Sequence, residues 1–406
     1  MAVRASGRIF RGRLQCALFT NFGHECGLCY NPNSMRSGRG RESGKCLRLA
    51  VLACGLTLTA LAQKQKKEEN QVLQVPRELP SVVEGDTRRL AFYVTPLVSK
   101  GLLSRQVRDA LGALTHEARG ETILKIRAFV AGSGDARRVR DIVSEVFTDR
   151  KQPLPALSLV QAGALPEGAQ VVLEAIAESR KDANPLGLAF FSAQRQEAAD
   201  PTAPMAPLAD KSLAALSLAL KGAGSQPADV VRVSCFLSSL DDIAAVRKLV
   251  GQAFPNAAAD YVQTERASAH GMAACEAVAR LQRDPGKPLS ILNPEGLPSI
   301  PGASQVALVA SEKIVFTGTQ VSFGFEEKDS RLAFQRVGKA LEQEGASLHD
   351  VAFAHFYPLA TGLVSQIEKV RGDFFDSARP PATSLLLFEG LPFMDAGFAI
   401  DVVAVK

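Results

Sequence analysis

One 25-residue pattern occurs three times in this chain, as Ile123–Phe147 (ILKIRAFVAGSGDARRVRDIVSEVF), Val230–Phe254 (VVRVSCFLSSLDDIAAVRKLVGQAF) and Val351–Phe375 (VAFAHFYPLATGLVSQIEKVRGDFF). Each copy has a strand-like half, a short polar break and an amphipathic helical half, and each ends on Phe. The copies begin 107 and then 121 residues apart. That period is the size of a domain, not of a solenoid repeat. The chain must therefore bury three similar strand–helix units, each inside its own stretch of about 100 residues.

The surrounding periodicity gives each unit the order β-α-β-α-β-β. In the first, Arg89–Val98, Ile123–Val130, Ala156–Ala162 and Gln170–Glu178 alternate as strands. Val107, Ala110, Leu111 and Leu114 make one helical stripe, and Val139, Ile142, Val143 and Val146 make another. Asp135 stands where the second helix needs an N-cap. The second unit repeats this order through a helix at Lys211–Lys221, with Asp200–Leu208 read as a Pro-rich surface loop. The third has strands at Gln305–Ser311, Lys313–Ser322, Val351–Pro358, Thr383–Phe388 and Gly397–Val405. Gly224 and Gly345 follow helices as left-handed C-caps. The fold class expected is α+β: a mixed sheet per unit, closed by a terminal hairpin, with two helices on one face. The bare faces would be covered if three sheets packed on one another about a pseudo-threefold axis.

The boundaries read as 1–34 leader or over-extended start, 35–62 signal peptide, 63–80 polar tether, 81–180 first unit, 184–284 second unit, 285–304 Pro-rich linker and 305–406 third unit. Arg36, Arg39, Arg41, Lys45 and Arg48 precede the apolar run Leu49–Leu61 and the small-residue site Ala60-Leu61-Ala62. This is the layout of a secretory signal, and the run is too short for a stable membrane span. A periplasmic or secreted protein starting near Gln63 is expected. His24, Cys26 and Cys29 form a single CxxC cluster without a second pair, too little for a zinc site.

The net charge of +5 is concentrated in this leader, where nine basic residues face two acidic ones. The remaining body has 38 basic and 40 acidic residues, and the chain has no Trp and four Tyr. A near-neutral body without aromatic platforms argues against nucleic-acid binding. Cys235 and Cys275 are the only cysteines of the body; after export they would either pair or remain buried thiols.

Beyond the repeat itself, Pro155-Ala156-Leu157-Ser158 and Pro381-Ala382-Thr383-Ser384 follow the helical half, and closing strands such as Leu173–Ala177 and Ile400–Ala404 follow those. Together with Phe316-Thr317-Gly318-Thr319-Gln320, these segments resemble the Rid family of reactive-intermediate deaminases (YjgF-like, L-PSP-like) across nearly all of Ser81–Lys406. The resemblance implies a chorismate-mutase-like fold, trimeric assembly and ligand pockets between units. Three units in one chain would form an intramolecular pseudo-trimer. It also implies hydrolysis of enamines and imines without metal or cofactor, with an arginine after the Pro-Ala pair and a glutamate on the closing strand.

This sequence departs from that pattern. The arginine positions hold Leu157, Ala259 and Thr383, and the glutamate positions hold Val172, Ala274 and Ala399. A guanidinium–carboxylate contact contributes about 1.5–3 kcal/mol per charge-assisted bond, which Leu157 and Ala259 cannot supply. Arg140 and Arg247 match each other within the second helices and are weak catalytic candidates, or else solvated helix flanks. Thr383, Ser384, Thr319, Gln320, Tyr357 and Arg379 are the candidate ligand-binding residues, with Arg379 equally readable as a loop-surface residue. No histidine pair has metal-ligand spacing. The expected function is binding of a small, neutral or apolar ligand or a partner at clefts between units. The alternative is an enamine/imine deaminase with rebuilt sites; an endoribonuclease is disfavoured by the charge.

Overall fold

The computed structural model describes residues 77–132 and 136–406. The leader, the signal segment, the first part of the tether and the Asp135 cap lie outside the described residues.

The first repeat region contributes β1 (Val82–Asp86), β2 (Leu90–Val94), α1 (Leu103–Glu117), β3 (Thr122–Ala131), α2 (Arg137–Asp149), β4 (Ala156–Ala162) and β5 (Val171–Glu178). The second contributes β6 (Leu188–Ala198), α3 (Met205–Ala223), β7 (Val230–Leu237), α4 (Ile243–Ala253), β8 (Ala258–Gln263) and β9 (Gly271–Arg280). Then follow β10 (Leu289–Leu292), β11 (Val306–Val309), β12 (Lys313–Thr317), β13 (Gln320–Phe323), α5 (Glu327–Glu342), β14 (Val351–Pro358), α6 (Thr361–Arg371), β15 (Ala382–Leu385) and β16 (Ala396–Val405).

These strands form three mixed sheets, ordered β2-β5-β3-β4, β10-β11-β6-β9-β7-β8 and β1-β12-β16-β14-β15, with β13 also on β16. In each, the strand of the 25-residue repeat lies between its two successors. β3 pairs parallel with β4 and antiparallel with β5; β7 and β14 are flanked likewise. The terminal hairpin expected from sequence is therefore absent. A helix carries the chain from β3 to its parallel neighbour β4, and β5 then returns antiparallel on the opposite side of β3.

Sheet membership also departs from the order of the repeats. β1 pairs with β12 in the third sheet, while β11 pairs with β6 in the second. The 285–304 stretch read as linker contains β10, the edge strand of the second sheet. The expected strand Lys313–Ser322 is interrupted at Gly318-Thr319, where the backbone meets another segment on each side. Gly318 N–H donates to Ser81 O at 2.8 Å and Thr319 N–H to Leu157 O at 3.2 Å. A Cβ on Gly318 would stand 2.9 Å from Leu157 O, so the crossing requires glycine.

Helix α3 starts inside the stretch read as a surface loop. Its start is capped from a distance: Asp242 accepts from Met205 N–H at 3.2 Å and Ala206 N–H at 2.8 Å. No residue next to the helix could announce such a cap. Gly224 and Gly345 do adopt left-handed φ values of +75° and +73°. Leu79, in the tether region, is buried against the first core.

Each sheet has two helices on its outer face. Val107, Leu111 and Leu114 of α1 and Val139, Ile142 and Val143 of α2 bury against Ile126, Ala128 and Val130 of β3. Such side chains contribute about 1.5–3 kcal/mol each on full burial. Equivalent cores lie under α3–α4 and α5–α6. The inner faces supply two further cores, each drawing residues from all three sheets. In one of them the rings of Phe129, Phe236 and Phe388 are mutually 5.8–5.9 Å apart. Cys235 and Cys275 face each other across β7 and β9 and are joined as a disulfide.

Candidate functional site: three clefts and a buried charged layer

Outward-facing residues of the three parallel edge strands open onto three clefts. Leu157 of β4 lines the first, a cavity of about 370 Å³ shared with Gly318, Thr319 and Gln320 at the β12–β13 crossing. Arg140 stands on its α2 wall and faces Glu78 at 3.9 Å. Ala259 of β8 lines the second, about 340 Å³, opposite Val94 and Val172 of the first sheet and the segment 95–97 that follows β2. There Arg247 is engaged by Glu167 at 2.7 Å and lies over the Tyr261 ring. Thr383 of β15 lines the third, about 190 Å³, opposite Gln194 and Arg195 of β6.

The structure thus brings Arg140, Thr319 and Gln320 together, but places Arg247 and Thr383 in separate clefts. Arg379 is on a surface loop, paired with Asp376 at 2.9 Å. Ser384 and Tyr357 line none of these clefts. Both side chains turn to the inner face of the third sheet, because alternation along a strand sends neighbours to opposite faces.

One cleft residue had no signal in its sequence context. Arg371, at the end of α6, is 1% exposed and lines the third cleft beside Thr383. Its Nη2 donates to Pro301 O, while Nε and Nη1 meet no acceptor among the described residues. Burial lowers this guanidinium below its ordinary range, opposed by Glu368. In the helical pattern, position 371 belongs to the apolar stripe, where the other two repeats hold Val143 and Val250.

The inner faces carry a layer of polar groups at matching register. Arg127 of β3 stands opposite Glu174 and Ser158; Ser234 of β7 opposite Glu276 and Asp260; and His355 of β14 opposite Asp401 and Ser384. These groups are bonded across sheets. Arg127 donates to Glu174 at 2.8 and 2.7 Å and to Glu276 at 2.7 Å. Arg232 donates to Glu174 at 3.1 Å and to Glu276 at 2.9 Å. His355 lies 3.0 Å from Asp401 and 3.1 Å from Glu276. Ser158 and Tyr357 donate to Asp401 at 2.5 and 3.0 Å, Ser384 donates to Glu276, and Lys125 donates to Ser158 at 2.6 Å and to Thr317 O.

Burial alone would raise all three paired acids. For Glu276, Arg127, His355 and Arg232 outweigh it and hold the group well below its ordinary range. Arg127 and Arg232 lower Glu174, and Lys125 and His355 hold Asp401 well below its ordinary range. Asp260 is the exception. Neither of its oxygens meets a donor among the described residues. Burial and the neighbouring Glu174 push its carboxyl well above the ordinary range. Burial lowers the Lys125 ammonium to about 8.

Among the described residues no group of three or more His, Cys, Asp or Glu side chains is placed to hold a metal ion, and no helix is long and apolar enough to cross a membrane.

No family model matches the chain, and no curated protein is similar to it. Parts of it are similar to solved structures of the Rid/YjgF family. The Rid-family protein YyfB from Yersinia pestis is 20% identical, with a TM-score of 0.28, over 30% of this chain and 100% of its own. E. coli TdcF, solved with bound serine, is 20% identical, with a TM-score of 0.21, over 23% of this chain and 80% of its own. RidA from an Antarctic Psychrobacter is 16% identical, with a TM-score of 0.22, over 23% and 80%.

Proposed function

We propose that this chain is an exported, intramolecular pseudo-trimer of Rid-like units that binds a small ligand in clefts between those units. The observation that carries the reading is the shared placement of Leu157, Ala259 and Thr383. Each sits on the parallel edge strand of one sheet and faces residues of another across a cavity of about 190–370 Å³. The first two, at about 370 and 340 Å³, fall in the range of pockets that hold metabolite-sized ligands; the third, at about 190 Å³, admits only a smaller one. Leu157 and Ala259 offer a carboxylate no donor, and the wall arginines Arg140 and Arg247 already face Glu78 and Glu167, so the first two favour neutral or apolar groups over a free carboxylate. Export rests on the basic and apolar segment before Gln63, and periplasmic or secreted localisation follows from it.

A deaminase with a rebuilt site is the second reading, and Arg371 favours it. Its guanidinium lies beside Thr383 at the third cleft with two donors that meet no acceptor among the described residues; turned into the cleft, it would supply them to a substrate carboxylate from a helix and not from the strand that resembles the family's. Backbone groups would have to activate the water.

Calorimetric titration with small amino acids, 2-keto acids and their neutral amides tests binding. Binding of neutral ligands that Leu157→Trp abolishes supports the first reading. Ammonia release from 2-aminoacrylate generated in situ, lost in Arg371→Met or in Arg140→Ala with Arg247→Ala, would select the second. No binding and no acceleration would reject both.

A further inference from the structure

The first and second clefts share a plan but differ at one place. In the second, the loop between β4 and β5 brings Leu165-Pro166-Glu167, and Glu167 engages the wall residue Arg247 at 2.7 Å. In the first, the loop between β15 and β16 brings the matching Leu391-Pro392-Phe393. Phe393 lines this cleft where a carboxylate lines the other. Arg140, the counterpart of Arg247, faces Glu78 from the segment before β1.

The Phe393 ring is held in place without being covered. It meets the ring of Phe323, at the end of β13, edge to face with centroids 5.6 Å apart. Pairing of β13 with β16, and the bond from Gly324 N–H to Asp395 O at 3.0 Å, keep the two segments side by side. Arg336 of α5 lies over the Phe323 ring at 5.4 Å. Phe393 and Phe323 nevertheless stay 37% and 44% exposed, and Phe325 and Met394 on the same two segments are exposed as well. Four exposed large apolar side chains on adjoining segments go beyond the scattered exposure normal for a protein surface. The cleft lining continues apolar through Leu157, Leu159 and Val321, and Thr319 and Gln320 bring polar groups at the β12–β13 crossing. Its charged residues belong to α2 and to Glu78.

We propose that the first cleft takes a neutral molecule carrying an apolar group of about the size of an aromatic ring. That group seats against Phe393 and Leu157, and the polar end lies at Thr319 and Gln320. The proposal rests on the reading of the clefts as ligand sites and adds the class of ligand for one of them. A cavity of about 370 Å³ has room for such a molecule. Aromatic rings pack favourably edge to face, and Phe393, already half of one such pair, has an open side for a second ring.

Calorimetric titration with propionamide and 3-phenylpropionamide tests this. The phenyl compound should bind at least about tenfold more tightly, from burial of its ring. Phe393→Ala should remove most of that ratio and leave the propionamide affinity unchanged. Equal affinity for the two amides in the parent would overturn the proposal and leave the cleft reading standing; no binding of either would overturn both. A preference that survives Phe393→Ala would place the ring elsewhere and overturn the proposal. If the alanine variant does not fold, Phe393→Glu decides, since it installs the residue of the matching loop: loss of the preference supports the proposal, and its retention overturns it.

Discussion

Asp260 and Arg127 show how much depends on single groups in this core. The Asp260 carboxyl, raised well above its ordinary range in the fold, keeps its proton to higher pH than in the unfolded chain, which loses it above about pH 4. Its raised position therefore lowers stability as pH rises, by up to about 1.4 kcal/mol per pH unit within the window above the unfolded value. Asp260→Asn removes that dependence, so the variant should gain on the parent between about pH 5 and pH 8. Urea midpoints at both values check this, and an equal difference at the two would contradict it. Arg127→Met removes one of the two guanidinium groups that Glu174 and Glu276 share. It should cost about 3–5 kcal/mol by urea denaturation. Little of this was legible beforehand, since a charge on a strand reads as solvent-facing. A usable signal did exist. Lys125 and Arg127, Arg232 and Ser234, and Phe353 and His355 occupy the same third and fifth places of the 25-residue repeat. Polar groups at the fifth place of all three copies and at the third place of two, in a strand otherwise apolar on both faces, mark a shared interior.

At the scale of elements, the 25-residue segments were legible because strand and helix periods are local properties. The pairing of their neighbours was not. That β4 and β5 lie on opposite sides of β3, and that β1 and β11 join sheets of other units, depends on contacts distant in sequence. The same holds for α3, whose cap is Asp242. The cleft positions Leu157, Ala259 and Thr383 could be reached by counting from the Pro-Ala pairs and closing strands, whereas Arg371 sat hidden in an apolar stripe. The β12–β13 crossing ties a cleft wall to the fold. Gly318→Ala should destabilise by about 1–3 kcal/mol and weaken ligand binding in the first cleft more than in the third; equal weakening in both would contradict that link. Across β7 and β9, replacing Cys235 and Cys275 together by Ala should cost about 2–4 kcal/mol. A loss well below 1 kcal/mol would indicate that the two thiols do not cross-link the native protein.

For the whole molecule, the account makes the three sheets one cooperative unit. Their outer faces are closed by their own helices, and their inner faces share two apolar cores and the charged layer between them. Strands that cross between units, β1 and β11, add backbone pairing to that interlock. Hydrogen exchange of the Arg127→Met variant, followed separately in β3, β7 and β14, tests this unity most directly. The account predicts that all three central strands lose protection together. Loss confined to β3 and its neighbours β4 and β5, with β7 and β14 unchanged, would contradict it.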